Sequence, residues 1–199
     1  MLLNGKQKLR LNLLTELYRI ADFSLKFDLD YVAKRTNLHS GISFSYPEEK
    51  ISGMTWMGRG PYRVWKNRMK GPNLGIWHKD YNNTITGESF DDLIYPEFKG
   101  YHAGLYWVRV ENSESPFTII SENENIFLRM LTPEPPKGAY NANTAPEFPV
   151  GDISFLHEIN AIGTKFKKPE ALGPMSQPGV YAQNRGDEGL PMVLWFDFR

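Results

Sequence analysis

The sequence predicts an all-β fold, an antiparallel β-sandwich, from three observations. Apolar and polar residues alternate with period two in several segments, which is the spacing of a strand with one buried and one wet face. Aromatic residues make up 14% of the chain, which also holds 17 Gly and 14 Pro; this composition favours strands joined by many turns. A helical period is nearly absent. At 199 residues, the chain is long enough to bury the core of one such domain.

The strand signals follow one another along the chain. Residues 9–20 place leucines at both helical and strand spacing, and we expect a strand there because β signals follow it. The clearest alternation is FSLKFDLDY at 23–31, and residues 41–46 repeat it until Pro47. Further strands are predicted at 51–57, 103–110, 116–121, 125–131, 152–159 and 191–198. The last of these is so densely apolar that we expect it to be central in a sheet or covered on both faces.

Two long irregular segments interrupt the strands. Residues 132–152 hold five of the 14 Pro, and residues 163–191 are rich in Gly and Pro. Loops of this length inside a compact domain are uncommon and are often functional. Because strand signals resume after each, neither reads as a linker. We therefore expect residues 1–22 to form an N-terminal segment or linker and residues 23–199 to form one sandwich domain with two long irregular loops.

Charge and residue counts exclude several classes of protein. Lys and Arg total 23, as do Asp and Glu, so the chain lacks the positive charge of a general nucleic-acid binder. The absence of Cys excludes disulfides, thiolate metal sites and a cysteine nucleophile. The four His lie at no metal-ligand spacing, so no cofactor or metal is expected. No apolar run reaches the ~20 residues of a membrane helix, and the N-terminus lacks the features of a signal peptide.

The tetrapeptide GRGP at 58–61 is predicted to be a sharp turn at the end of a strand. Glycine reaches positive φ without steric cost and proline fixes the direction in which the chain leaves. A phosphate-binding loop is disfavoured, because Pro61 removes an amide and no Lys follows. We expect Arg63 and Arg68 to lie near this turn.

Aromatic and polar residues crowd together in residues 56–107, a combination typical of sugar binding. Aromatic faces stack on the C–H faces of sugar rings, while amides and carboxylates bond the hydroxyl groups. Core packing accounts for part of this crowding, with Trp56 as the clearest core residue. The candidate sugar-binding residues are Trp77, His78, Tyr81, Asn82, Asn83, Glu88, Glu97, Tyr101 and His102. They place the site at the loops led by 81–88 and 96–102.

Four segments, 56–68, 81–107, 151–166 and 190–199, resemble the C-terminal domain of glycoside hydrolase family two β-galactosidases, especially a Bacteroides-type branch. The resemblance covers roughly residues 23–199. The family's G-x-G-P-x-x-x-[YW]-x-x-R pattern is matched by Gly58, Gly60, Pro61, Trp65 and Arg68, and its later motif by Pro96, Glu97 and Gly100.

This resemblance implies an antiparallel β supersandwich similar to galactose mutarotase. It further implies a carbohydrate-binding domain whose partners are a galactoside and a separate catalytic (β/α)8 barrel that carries the two catalytic glutamates. The chain is then expected to be a fragment or a lone last domain, and a periplasmic or extracellular location in a Gram-negative bacterium is implied. A family loop that reaches the catalytic pocket matches residues 162–166, which adds Lys165 and Phe166 to the site at its edge; the family's Trp is missing there.

Three functions remain open on this basis. The first is a non-catalytic carbohydrate-binding domain that completes or supports the active site of a glycoside hydrolase. The second is a stand-alone enzyme of the aldose mutarotase kind, which needs a general acid and a general base. Its players would be His102 or His157 with Glu97 or Glu158. The third is a purely structural or interaction sandwich in which the aromatic residues are all core.

Overall fold

A computed structural model describes residues 24–29, 40–85, 94–135, 142–144, 146–177 and 192–198. These residues form nine strands: β1 Ser24–Leu29, β2 Ser40–Phe44, β3 Ile51–Val64, β4 Asn73–Asp80, β5 Gly100–Asn112, β6 Phe117–Ser121, β7 Ile126–Met130, β8 Ile153–Glu158 and β9 Met192–Asp197. The helical elements among them are single 3-10 turns at Glu48–Lys50, Ala142–Thr144, Pro169–Ala171 and Pro174–Ser176. In this part of the chain no helix has the length and apolar character needed to cross a membrane.

All strand pairs are antiparallel, and β5 holds them together. The strand order is β1-β9-β6-β5-β7-β8-β2, with β3 paired to β5 and β4 paired to β3. One edge of β5 is divided, because Gly100–Leu105 pairs with β7 and Trp107–Val110 pairs with β6. Gly104, at φ 59°, lies at the change of partner, where a left-handed residue lets the strand bend. The sheet therefore divides into two halves that face each other.

Aromatic side chains join the two halves of the sandwich. Phe155 on β8 lies 6.5 Å, ring centre to ring centre, from Phe196 on β9. Phe44 on β2 lies 6.4 Å from Phe155 and 5.8 Å from Phe196. The same core cluster includes buried side chains from β3, β5, β6 and β7. These contacts close an all-β sandwich, and the predicted fold class is confirmed.

Eight of the predicted strands are present, with ends shifted by a few residues or more. Strand β9 pairs on both edges, with β1 and β6, but it buries only one face, that of Met192, Leu194 and Phe196. The first of the two expected alternatives, a central position in the sheet, is therefore the one that the structure shows. The strand expected at 9–20 lies outside the described residues. Both long segments contain only 3-10 turns and irregular backbone where they are described.

Strand β4 was not predicted, because its pattern is reversed. Its outward residues include Leu74 and Ile76, which are exposed, while Lys79 points inward and is buried. Apolar residues thus face solvent and a charged residue faces the core. A strand with this arrangement is not recognised by the usual pattern, in which the apolar residues face the core.

The predicted turn at 58–61 is wrong, because GRGP lies inside β3 and not after it. Gly58, Arg59 and Gly60 pair with β4 in regular register. A Cβ on Gly60 would lie 2.7 Å from both the Trp56 and the Trp77 rings. Glycine is therefore required for the close approach of two tryptophans and not for positive φ. Pro61 lies where the pairing of β3 with β5 shifts register, a place where a missing amide is tolerated.

A row of apolar side chains crosses the outer face of one half of the sandwich. Ile76, Met57, Trp107, Ile120 and Trp195 lie directly opposite one another on β4, β3, β5, β6 and β9. Ile76 is 67% exposed and Ile120 is 41% exposed, and the other three are half-buried. We call these five residues the outer row.

Candidate functional site

Several predicted sugar-binding residues do meet, at the start of β5, but they meet in the interior. Asn82 joins the loop after β4 to the segment before β5. Its Oδ1 accepts hydrogen bonds from the amides of Thr84 and Phe98, and its Nδ2 donates to the carbonyl of Pro96 at 3.4 Å. Asn82 itself is buried. The amide predicted to bind a hydroxyl therefore holds two loops together.

Glu97 forms the centre of a buried charged cluster. Its Oε1 lies 3.2 Å from the Arg63 guanidinium, and its carbonyl accepts a 2.7 Å hydrogen bond from Lys79 Nζ. Lys79 Nζ also lies 5.5 Å from the Trp56 ring centre, which is within cation–π range. Burial lowers the pKa of Lys79 to about 8. The Glu97 carboxylate is therefore paired with Arg63, while Lys79 is held by the backbone carbonyl of the same residue.

Tyr81 is held at the edge of this cluster by a second set of charges. Its hydroxyl donates a 2.6 Å hydrogen bond to Glu48 Oε1, and the same oxygen lies 2.6 Å from Lys99 Nζ. Burial, followed by the Glu48 contact, raises the pKa of the Tyr81 hydroxyl. The Tyr81 ring packs edge-on against Phe98 at 5.4 Å. One end of the ring therefore faces the core and the other faces an ion pair.

Tyr101 and His102 are fully buried, on opposite faces of β5. Tyr101 packs between Trp65 and Phe148, with ring centres 5.5 and 5.0 Å away. His102 lies 5.0 Å from the Trp56 ring. Burial, with a smaller effect from Lys79, lowers the pKa of His102 to about 3. Neither ring is exposed to solvent. The His102 imidazole is therefore not accessible to a substrate, as the general acid or base considered above would have to be.

Acid should destabilise the protein through His102. Its pKa is lowered on folding, so between pH 6.5 and about 3 the unfolded state binds a proton that the folded state does not. The free energy of unfolding is then expected to fall with decreasing pH, by up to about 1.4 kcal/mol per pH unit from this group. Urea unfolding from pH 7 to pH 4 measures the slope. His102→Asn should show a shallower slope than the wild type, and an equal slope would contradict the assignment.

The other predicted residues are spread over two places. On β4, His78 is exposed and bonds Thr55 and Asp80, while Trp77 donates to the carbonyls of Gly58 and Asn73. Asn83 is exposed on the loop that follows. Lys165 and Phe166 lie on the 163–177 segment, where Phe166 is 85% exposed and its ring centre is 5.9 Å from Lys165 Nζ. Glu88 lies outside the described residues.

The 163–177 segment is anchored to the turn after β3. Arg68 donates to the carbonyl of Gly163 at 2.9 Å. Asn67 Nδ2 donates to the Ile162 carbonyl and to Ser176 Oγ, both at 2.9 Å, and its Oδ1 accepts from the Ile162 amide. The motif residue Arg68 therefore positions this loop. These bonds come from residues 67 and 68, close to Trp65, which packs against Tyr101.

Lys66 and Glu158 form a buried ion pair that the sequence did not reveal as a pair. Both side chains are about 95% buried, at 4% and 5% exposure, and Lys66 Nζ also donates to the carbonyl of Gln177 at 2.8 Å. Lys66 lies between the motif residues Trp65 and Arg68, and this spacing was the signal that could have identified it. Glu158 ends β8, so the pair joins a strand end, a turn and the 163–177 segment.

Comparison with known proteins gives one family. The family model described as beta galactosidase small chain matches residues 7–158 of the chain, which is more than half of its length. No curated protein sequence matches the chain at a significant level.

Proposed function

We propose, from the premise that this chain belongs to the beta galactosidase small chain family, that it is the non-catalytic, carbohydrate-binding part of a β-galactosidase. In this proposal it completes or supports the active site of a separate catalytic barrel. The family match carries the proposal, and the all-β sandwich agrees with it. We further propose that the chain adopts a supersandwich fold like that of galactose mutarotase. We also propose that it is the C-terminal domain of a glycoside hydrolase of family two.

The charge environment of the glutamates supports a non-catalytic role. Glycoside hydrolysis uses two carboxyl groups about 5 to 9.5 Å apart, one of which must hold a proton. Here Glu97 is paired with Arg63 and Glu158 with Lys66. Both glutamates are therefore placed as partners of cations and not as a proton donor and its nucleophile.

The outer row supports attachment to the rest of a β-galactosidase. Contiguous apolar patches on a protein surface mark interaction sites, whereas single exposed apolar residues are common and need no explanation. The outer row brings side chains of five strands together on one face. The partner we propose for it is the catalytic part of the parent enzyme, because the family is described as a small chain.

The purified chain is expected to show no turnover of a nitrophenyl galactoside, because Glu97 and Glu158 are each paired with a cation. Expressed together with the catalytic part of its parent enzyme, it should raise the galactosidase activity of that part. Ile120→Glu in the outer row should reduce this gain, whereas the control Glu124→Gln in the exposed β6–β7 turn should not. Galactosidase activity of the chain alone that survives repurification would contradict the proposal. So would a catalytic part whose activity is the same with and without the chain.

A further inference from the structure

A cavity of about 340 Å³ opens beside the end of β8. Its walls come from the turn after β3, the residues that follow β8, the segment around 143–147 and the 168–177 segment. None of the residues at the start of β5 lines it. It is therefore separate from the charged cluster around Glu97.

Polar side chains that are themselves buried form the inner wall of this cavity. Lys66, Glu158, Asn160 and Ser176 all line it, and each is at most 5% exposed. Lys66 Nζ bonds Glu158 and the Gln177 carbonyl. The side-chain Nδ2 of Asn160 donates to the Glu147 carbonyl, and the backbone carbonyl of Asn160 accepts from the backbone amide of Lys66 at 3.0 Å. Groups fixed in this way are preorganised for a ligand, because binding does not have to order them.

The size and charge of the cavity select the chemical class of ligand. Its volume is at the lower end of the roughly 300–1,000 Å³ range of small-molecule sites, which fits one ring and not an oligosaccharide. Three glutamates and two lysines line it, so the wall disfavours an anion. A carboxylate accepts up to about four hydrogen bonds, so Glu158 can accept from ligand hydroxyl groups besides Lys66. Pro146 and Pro169 add apolar surface.

We propose that this cavity holds a single neutral sugar ring, with hydroxyl groups donating to Glu158 and bonding the Asn160 side chain. This inference rests on the proposed function, since it names the place and class of the carbohydrate. It differs from the sequence prediction, which placed the sugar at residues 81–102.

The test is titration of the purified chain with D-galactose, followed by NMR chemical shifts of the backbone amides. Saturable shifts are expected at residues 158–161 and 176–177, with an affinity of roughly millimolar for one ring held by a few hydrogen bonds. D-galacturonate should bind at least several-fold more weakly, because its carboxylate meets an acidic wall. The shift map uses the wild-type chain, so it does not depend on whether any variant folds.

Variants of residues that line the cavity test whether the sugar binds there. Ala161→Leu fills the cavity and Glu158→Gln removes the charged acceptor; each should weaken galactose binding about tenfold or more. Val150→Ala is the matched control, because Val150 is 69% exposed on the segment that carries Pro146 and Glu147 and does not line the cavity, and this variant should bind as the wild type does. Shifts confined to residues 81–102, an absence of saturable shifts, or a loss of binding in Val150→Ala alone would overturn the inference. If the chain still raises the activity of the catalytic part in that case, the proposed function stands and only this inference fails.

Discussion

Replacing Phe155 by alanine should lower the free energy of unfolding by about 3–5 kcal/mol. Phe155 is fully buried, and its ring touches Phe44 and Phe196, so it joins β8 to both β2 and β9. Truncation removes the apolar burial of a large ring and leaves a cavity between two sheet halves that are held apart by their shared strands. The surroundings therefore cannot close the gap completely, which adds the cost of the cavity. Urea unfolding followed by tryptophan fluorescence measures the change.

The control for this variant is Phe166→Ala. Phe166 is the same residue type but is 85% exposed, and surface substitutions usually change stability by less than about 0.5 kcal/mol. A comparable loss in both variants would show that the two halves do not pack through Phe155. So would a loss below about 1 kcal/mol for Phe155→Ala alone, which is far less than the usual cost of such a truncation.

Replacing Lys66 by methionine should also cost about 3–5 kcal/mol, because it leaves the Glu158 carboxylate buried without its cation. The two side chains are 4% and 5% exposed, so solvent compensates poorly for the lost partner. The double variant Lys66→Met with Glu158→Leu should regain much of this loss, since replacing both charges of a buried pair by apolar groups is often neutral or better. Thermal and urea unfolding of the two variants give the comparison.

An exposed pair provides the matched control for the Lys66 variant. Lys50 and Glu114 are 2.6 Å apart but lie at the surface, with side-chain exposures of 38% and 67%. Lys50→Met should leave stability unchanged within error, because exposed pairs are solvated with or without their partner. Equal losses for Lys50→Met and Lys66→Met would contradict the burial argument, as would a double variant less stable than Lys66→Met.

The pattern of strands could be read from the sequence, because alternation reports burial on one face of a sheet. It succeeded for β9, where Met192, Leu194 and Phe196 alternate with residues of the outer face. It failed for β4, where the outer row and the inward Lys79 reverse the usual rule. The division of the chain at residue 22 stays a prediction, since residues 1–23 lie outside the described part.

The candidate site, like the strands, could be predicted from the sequence only in part. The structure brings Tyr81, Asn82 and His102 against Phe98, next to Glu97, because the connection between β4 and β5 leads directly into β5. Whether these groups face water or the core depends on which face of β5 each residue occupies. The bend at Gly104 and the register of β3 against β5 decide this, and neither leaves a local signal. The residue-by-residue assignment of sugar binding stays a prediction.

By itself, the sequence determined the fold class, most of the strands and the family, because periodicity, composition and short motifs are local properties of the chain. Only the tertiary structure decided that GRGP passes through a strand beneath two tryptophan rings, and that Glu97 and Glu158 each face a cation. It alone placed Lys66, Asn160 and Ser176 around one cavity. The physical reason is that burial, ion pairing and enclosed volume arise between residues such as 66 and 158, which the chain separates by 92 positions and which only the pairing of strands brings together.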